Sequence, residues 1–109
     1  MDTAEAYGNG VSEEVLGKAL KKLDKETRDK LVIGSKIVPN NCGDVRKECL
    51  AALKRLDIEC IDLYMVHWPI TANSLGHFAT GKTSYGKSKK VKEEDVPSTE
   101  KAFKELKAL

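Results

Sequence analysis

Apolar residues recur along this chain with two spacings. Val15, Leu16, Ala19, Leu20 and Leu23 lie on one helical face. Ser12 is a good N-cap residue, and Glu13 and Glu14 suit the positive end of a helix, so the pattern predicts a helix from there to about Leu23. Lys18, Lys21 and Lys22 form its polar face. The preceding residues 1–10 read as a loop, with Gly8, Asn9 and Gly10 supplying turn-compatible backbone. After the charged link DKETRDK, the run LVIGS (residues 31–35) is apolar without alternation, as expected of a strand covered on both sides. PNNCG (39–43) is turn punctuation. Asp44 then caps a second helix with Val45, Cys49, Ala52, Leu53 and Leu56 inward. IECIDLYMVH (58–67) reads as a second buried strand, stopped by Trp68 and Pro69. Residues 70–96 show no periodic core signal and read as a long loop, a length associated with function or disorder. A third helix follows, capped by Ser98 or Thr99, with Ala102, Phe103, Leu106 and Leu109 inward.

Loop, helix, strand, helix, strand is the order of right-handed βαβ units on a parallel sheet, which places the chain in the α/β class. The first loop should follow a strand and the last helix should precede one, so both ends look cut. Two whole strands are visible, whereas a closed (β/α)8 barrel has eight and typically about 250 residues. The expectation is a partial barrel with parallel strands and surface helices.

Composition changes little. At 109 residues, 40% hydrophobic and 33% charged, the chain fits one small soluble domain, and 6% aromatic content suggests a modest core. A net charge of +2 points to no particular partner. The lysines from Lys82 to Lys92 are followed at once by Glu93, Glu94 and Asp95, a solvated loop rather than a nucleic-acid surface. Cys42, Cys49 and Cys60 are odd in number with no CxxC pairing, so reduced cytosolic thiols are expected and a metal site is not. No run approaches the roughly 18 apolar residues of a membrane span, and the N-terminus has no signal-like region, so the expected compartment is the cytoplasm.

The candidate chemistry lies at the strand ends. Lys36 follows the first apolar run and His67 closes the second, while Asp2 and Tyr7 lie in the opening loop. In parallel βα barrels the reactive groups sit at the C-terminal ends of strands. Reducing a carbonyl by hydride transfer requires a group that protonates the developing alkoxide. A tyrosine does this weakly, its ordinary pKa being near 10, and a neighbouring ammonium favours the phenolate. Lys36 would be that ammonium, Asp2 would hold it, and His67 would donate to the carbonyl. Singly, each residue has a plainer reading as a loop, solvated or strand-capping residue; the argument is their conjunction.

The wording DTAEAYG, then EEVLGKAL, then SK after an apolar run, then LYMVHWP before a long loop, resembles the aldo-keto reductase family from Asp2 to the helix containing Phe103 to Leu106. The resemblance implies a (β/α)8 TIM barrel, of which these residues would be roughly the second to fourth βα units of a single NADP-dependent oxidoreductase domain. It implies NADPH-dependent reduction of aldehydes and ketones to alcohols. It makes Tyr7 the proton donor, Lys36 and Asp2 its supporting ion pair, and His67 the carbonyl-orienting residue. Tyr7, His67 and Trp68 would meet the substrate, Asp2 would contact the cofactor, and residues 70–96 would be a substrate-side loop. A small-molecule carbonyl compound is the implied partner, with a monomeric full-length protein. The family's remaining cofactor-binding residues have no counterpart here, so the isolated chain is expected to be inactive.

Two other readings compete. Residues 76–83, GHFATGKT, satisfy the phosphate-loop pattern, with Lys82 and Thr83 in the phosphate and Mg²⁺ positions. That motif requires a strand before it and a helix after it, and the flanking residues suggest neither. The other alternative is a non-catalytic truncated barrel or partner-binding fragment that self-associates through unpaired strand edges.

Overall fold

The computed structural model describes residues 1–79 and 89–109. Its elements run α1 (Val11–Leu20), α2 (Lys25–Asp29), β1 (Gly34–Ile37), α3 (Val45–Leu56), β2 (Leu63–Val66), α4 (Ala72–Ala79) and α5 (Thr99–Ala108), with 3-10 turns at Tyr7–Gly10, Pro39–Asn41 and Glu93–Asp95. β1 and β2 pair in parallel, Gly34 opposite Leu63 and Lys36 opposite Met65. This is the partial parallel α/β arrangement expected.

The opening residues are not a free loop. Gly34 donates its N–H to the Met1 carbonyl at 2.8 Å, and Thr3 and Glu5 donate to Gly34 and Lys36 at 2.9 and 3.2 Å. An isolated parallel bridge joins Asp2 to Gly34. Residues 1–5 therefore run alongside β1, which lies between them and β2. Strand pairing begins three residues later than the apolar run suggested, because these partners start at Gly34. Ile33, Ser35 and Ile37 point towards the helices and are fully buried. Gly34 and Lys36 take the opposite face, as strand alternation requires.

Two small cores lie under the helices. Leu20, Ile33 and Leu56 join α1 to the end of α3, and Ile37, Cys42, Val45 and Ala102 join the start of α3 to α5. Asp44 caps α3 by accepting from the Lys47 N–H at 3.1 Å, and Ser98 caps α5 by accepting from Lys101.

Several expectations are corrected. The N-cap of α1 is Gly10, with φ +89, not Ser12, whose hydroxyl is bonded to that of Thr3. The buried face of α1 is Glu13, Gly17 and Leu20 with Leu16 beside them; Val15 and Leu23 are exposed. DKETRDK contains α2, capped by Asp24. β2 is not covered on both sides: Leu63 is 53% exposed, and no strand lies along its outer edge among the described residues. Phe103 and Leu109 are exposed because α5 meets the protein through Ala102 and Leu106, while its Glu105 accepts from the Val45 N–H at 2.9 Å. Residues 70–96 are not all loop, since α4 occupies Ala72–Ala79. Its start is fixed by Thr71, whose hydroxyl accepts from the Ser74 N–H at 3.2 Å, and its inner side by Leu75. Gly76 of the phosphate-loop pattern is buried within this helix, and Lys82 and Thr83 lie outside the described residues.

The cysteines are free and lie at three depths. Burial, with the Glu5 carboxylate nearby, pushes the Cys42 thiol up to about 11, and burial also raises Cys49. Since the thiolate is the reacting form, iodoacetamide at neutral pH should label exposed Cys60 first and Cys42 only on unfolding. Peptide mass mapping over time gives the order.

Candidate active site

Three parallel segments end on one side of the sheet, and each delivers part of the tetrad. Asp2 lies on the first extended segment, and Tyr7 follows it in the 3-10 turn. Lys36 is the penultimate residue of β1, and His67 directly follows β2, continuing the ladder by donating its N–H to the Ile37 carbonyl at 2.9 Å.

The ammonium of Lys36 is 2.7 Å from Asp2 Oδ2 and 2.9 Å from the Thr3 carbonyl. It also lies 5.0 Å from the centre of the Tyr7 ring, within cation–π range. Tyr7 meets His67 edge-on, with ring centroids 5.4 Å apart, and remains 44% exposed. The four residues singled out in the sequence therefore converge. Trp68, the fifth, is also adjacent: it stacks on His77 at 4.5 Å and meets Phe78 edge-on at 5.2 Å. Phe78 in turn lies 5.6 Å from His67. His77 and Phe78, both on α4, were not anticipated, because the stretch was read as loop. The spacing of Leu75, Phe78 and Ala79 was the available helical signal.

Burial lowers the pKa of His67 from its ordinary value, the nearby Lys36 ammonium lowers it further, and Asp2 opposes this weakly. Its Nδ1 is buried without a hydrogen-bond partner among the described residues, so a second N–H there would be unsatisfied. The fold thus favours neutral imidazole. Because the unfolded chain binds this proton more readily, stability from this group is complete above about pH 6.5 and declines as pH falls towards the folded value. An NMR titration should place the His67 midpoint below that of an exposed histidine, and Lys36→Met should raise it. A midpoint unmoved in Lys36→Met would disprove the electrostatic part.

Among the described residues there is no group of three or more His, Cys, Asp or Glu able to hold a metal ion, and no helix is long and apolar enough to cross a membrane. The arrangement offers a phenol beside a held ammonium, a neutral imidazole and an aromatic wall. Such a set can give a proton to an oxygen and orient a planar carbonyl.

Three adjacent parallel segments of an α/β fold thus present a Tyr–Lys–Asp–His cluster at their ends. The Aldo/keto reductase family model matches residues 1–109, and the chain belongs to that family. Its relatives include the aldo-keto reductase YhdN of Bacillus subtilis, 40% identical over 79 residues that cover 63% of this chain and 23% of the relative. The methylglyoxal reductase YeaE of Escherichia coli is 41% identical over 70 residues, covering 62% of this chain and 23% of YeaE. The NADH-specific methylglyoxal reductase of Escherichia coli is 36% identical over 88 residues, covering 62% and 26%. The chain thus spans about a quarter of the length of these curated relatives. No solved structure matches it.

Proposed function

We propose that these residues carry the proton-transfer half of a carbonyl reductase that converts aldehydes or ketones to alcohols with NADPH. The observation that carries the proposal is the convergence of Tyr7, Lys36, Asp2 and His67 at three adjacent parallel segment ends. Reduced nicotinamide, when bound, supplies the hydride. Tyr7 gives its proton to the substrate oxygen. Lys36 stabilises the phenolate left behind, and Asp2 and the Thr3 carbonyl hold the ammonium in place. His67, neutral, donates to the carbonyl and orients it. Trp68, with His77 and Phe78, forms the apolar side of the substrate pocket.

The methylglyoxal reductases among the relatives favour a small aldehyde or dicarbonyl substrate. The donor set fits the reacting end of a nicotinamide, with Asp2 on the cofactor side. Among the described residues, the cation beside Tyr7 is Lys36, which is already engaged by Asp2 and Thr3 rather than left for a cofactor phosphate. We therefore expect residues 1–109 alone to oxidise no NADPH with methylglyoxal. Placed into YhdN in exchange for its matching segment, they should support turnover. NADPH absorbance at 340 nm measures both, and turnover by residues 1–109 alone that is lost in Tyr7→Phe would refute the division of labour. The proposed setting is a monomeric, cytoplasmic, full-length reductase.

A second reading rests on the outer edge of β2, where Leu63 is exposed. Such an edge can pair with another chain, making the 109-residue form a self-associating, non-catalytic product. Sedimentation velocity across a concentration series decides: a constant monomer value excludes it.

A further inference from the structure

The loop bearing Tyr7 is conformationally unusual. Gly8, Asn9 and Gly10 have φ of 59°, 53° and 89°, three successive residues in the left-handed region. Gly8 and Gly10 adopt it freely, Asn9 is the non-glycine residue that its surroundings must hold there, and two carboxylates bracket the loop. Glu5, at the entrance, accepts from the Val38 N–H at 2.6 Å and the Asn41 amide at 3.1 Å. Glu13, just past the exit in α1, is fully buried and accepts from the Ser35 hydroxyl and from Arg55 Nε, each at 2.5 Å.

A single cation joins the two ends. Arg55, from the last turn of α3, pairs with Glu13 through Nε and lies 3.8 Å from Glu5 through Nη2. Its stem crosses directly over Gly10, where an added Cβ would lie 2.7 Å from Arg55 Cδ. The guanidinium is hydrogen-bonded to Glu13, while its Nη2, buried without a hydrogen-bond partner among the described residues, adds an electrostatic attraction to Glu5.

We propose that Arg55 is a positioning residue that fixes Tyr7 by clamping both ends of its loop, an inference that rests on the role assigned to Tyr7 above. The polar partners of Arg55 among the described residues are Glu13 and Glu5, and it acts through the loop. It sets the backbone from which the phenol projects towards Lys36 and His67, so the site and the helix layer behind the sheet are mechanically joined.

The test is amide hydrogen exchange with NOE spectroscopy on the 109-residue chain. The Tyr7 and Asn9 amides are bonded to the Ala4 and Ala6 carbonyls and report the loop. In Glu13→Gln/Arg55→Met, which removes both charges together, these two amides should exchange at least about tenfold faster. The Tyr7–His67 ring NOE should disappear while β1 and α3 amides keep their protection. Glu5→Gln is read in parallel; it leaves the Glu13–Arg55 pair intact and should loosen the same amides selectively, which decides the matter if the double variant does not fold. Unchanged loop exchange and NOE in a folded variant, or equal acceleration throughout the chain, would overturn the clamp. Neither readout needs carbonyl turnover. Failure here leaves the chemistry of Tyr7 untouched, whereas activity retained in Tyr7→Phe would remove that chemistry and leave the clamp standing.

Discussion

Tyr7→Phe, tested in residues 1–109 grafted into YhdN, should reduce carbonyl turnover by about 10² to 10⁴, the usual worth of a placed acid. The substitution is conservative in every respect but one. Phenylalanine keeps the edge contact with the His67 ring and the ring face towards Lys36, so the surrounding packing is preserved. The hydroxyl alone is lost. Because the proton moves only as the alkoxide develops, kcat should fall while KM changes little, the signature of an interaction made in the transition state. Lys36→Met should lower kcat as well and change its pH dependence, since the phenol would lose its ammonium neighbour. A Tyr7→Phe chimera with more than about a tenth of the parent rate, an order below the smallest contribution expected of a placed acid, would show that the proton comes from elsewhere. His67 would then be the next residue to test.

The residues of this site were legible because each combines an uncommon chemistry with a recognisable topological point. Lys36 and His67 end apolar runs, and in a parallel sheet a residue at the end of such a run reaches the side where the strands terminate. The helices α1, α3 and α5 were legible from spacing, and α3 and α5 also from their caps, Asp44 and Ser98. What escaped was everything decided by distant partners. Glu13 read only as a carboxylate suited to the positive end of a helix; it is buried, and Ser35 and Arg55, 22 and 42 residues away, supply its hydrogen bonds. No local rule separates it from Glu14, which stays exposed. The first strand was displaced for a similar reason: hydrophobicity marked residues 31–35, whereas pairing with residues 1–5 and β2 marks Gly34–Ile37. α4 was missed because an eight-residue helix offers few repeats of its period, and with it went His77 and Phe78, the residues that surround Trp68.

The largest effect on stability should come from a single methyl group. Gly17 lies on the buried side of α1, where it passes the end of α3. A Cβ there would lie 2.3 Å from the Leu56 carbonyl oxygen and 2.7 Å from its carbon. Those are backbone atoms at a helix terminus, so no rotamer change relieves the overlap, and α1 must move outward. Two effects oppose each other in Gly17→Ala. Alanine gains up to about 1 kcal/mol of helix propensity over glycine, and overpacking costs about 1–3 kcal/mol, occasionally more. Contact with immovable backbone places this site at the upper end, so a net loss of about 2 kcal/mol is expected, equivalent to a fall in Tm of roughly 10 °C for a chain of this size. Gly43→Ala is the control: a Cβ there meets nothing within 4 Å, and its effect should stay within about 0.5 kcal/mol. Thermal melts followed by circular dichroism compare the two. The outward shift of α1 would also draw Glu13 away from Ser35 and Arg55, so Gly17→Ala should loosen the Tyr7 loop even at temperatures where the chain remains folded. If Gly17→Ala instead melts at or above the temperature of the unmodified chain, propensity has won, α1 and α3 do not approach this closely, and the buried seat of Glu13 fails with them.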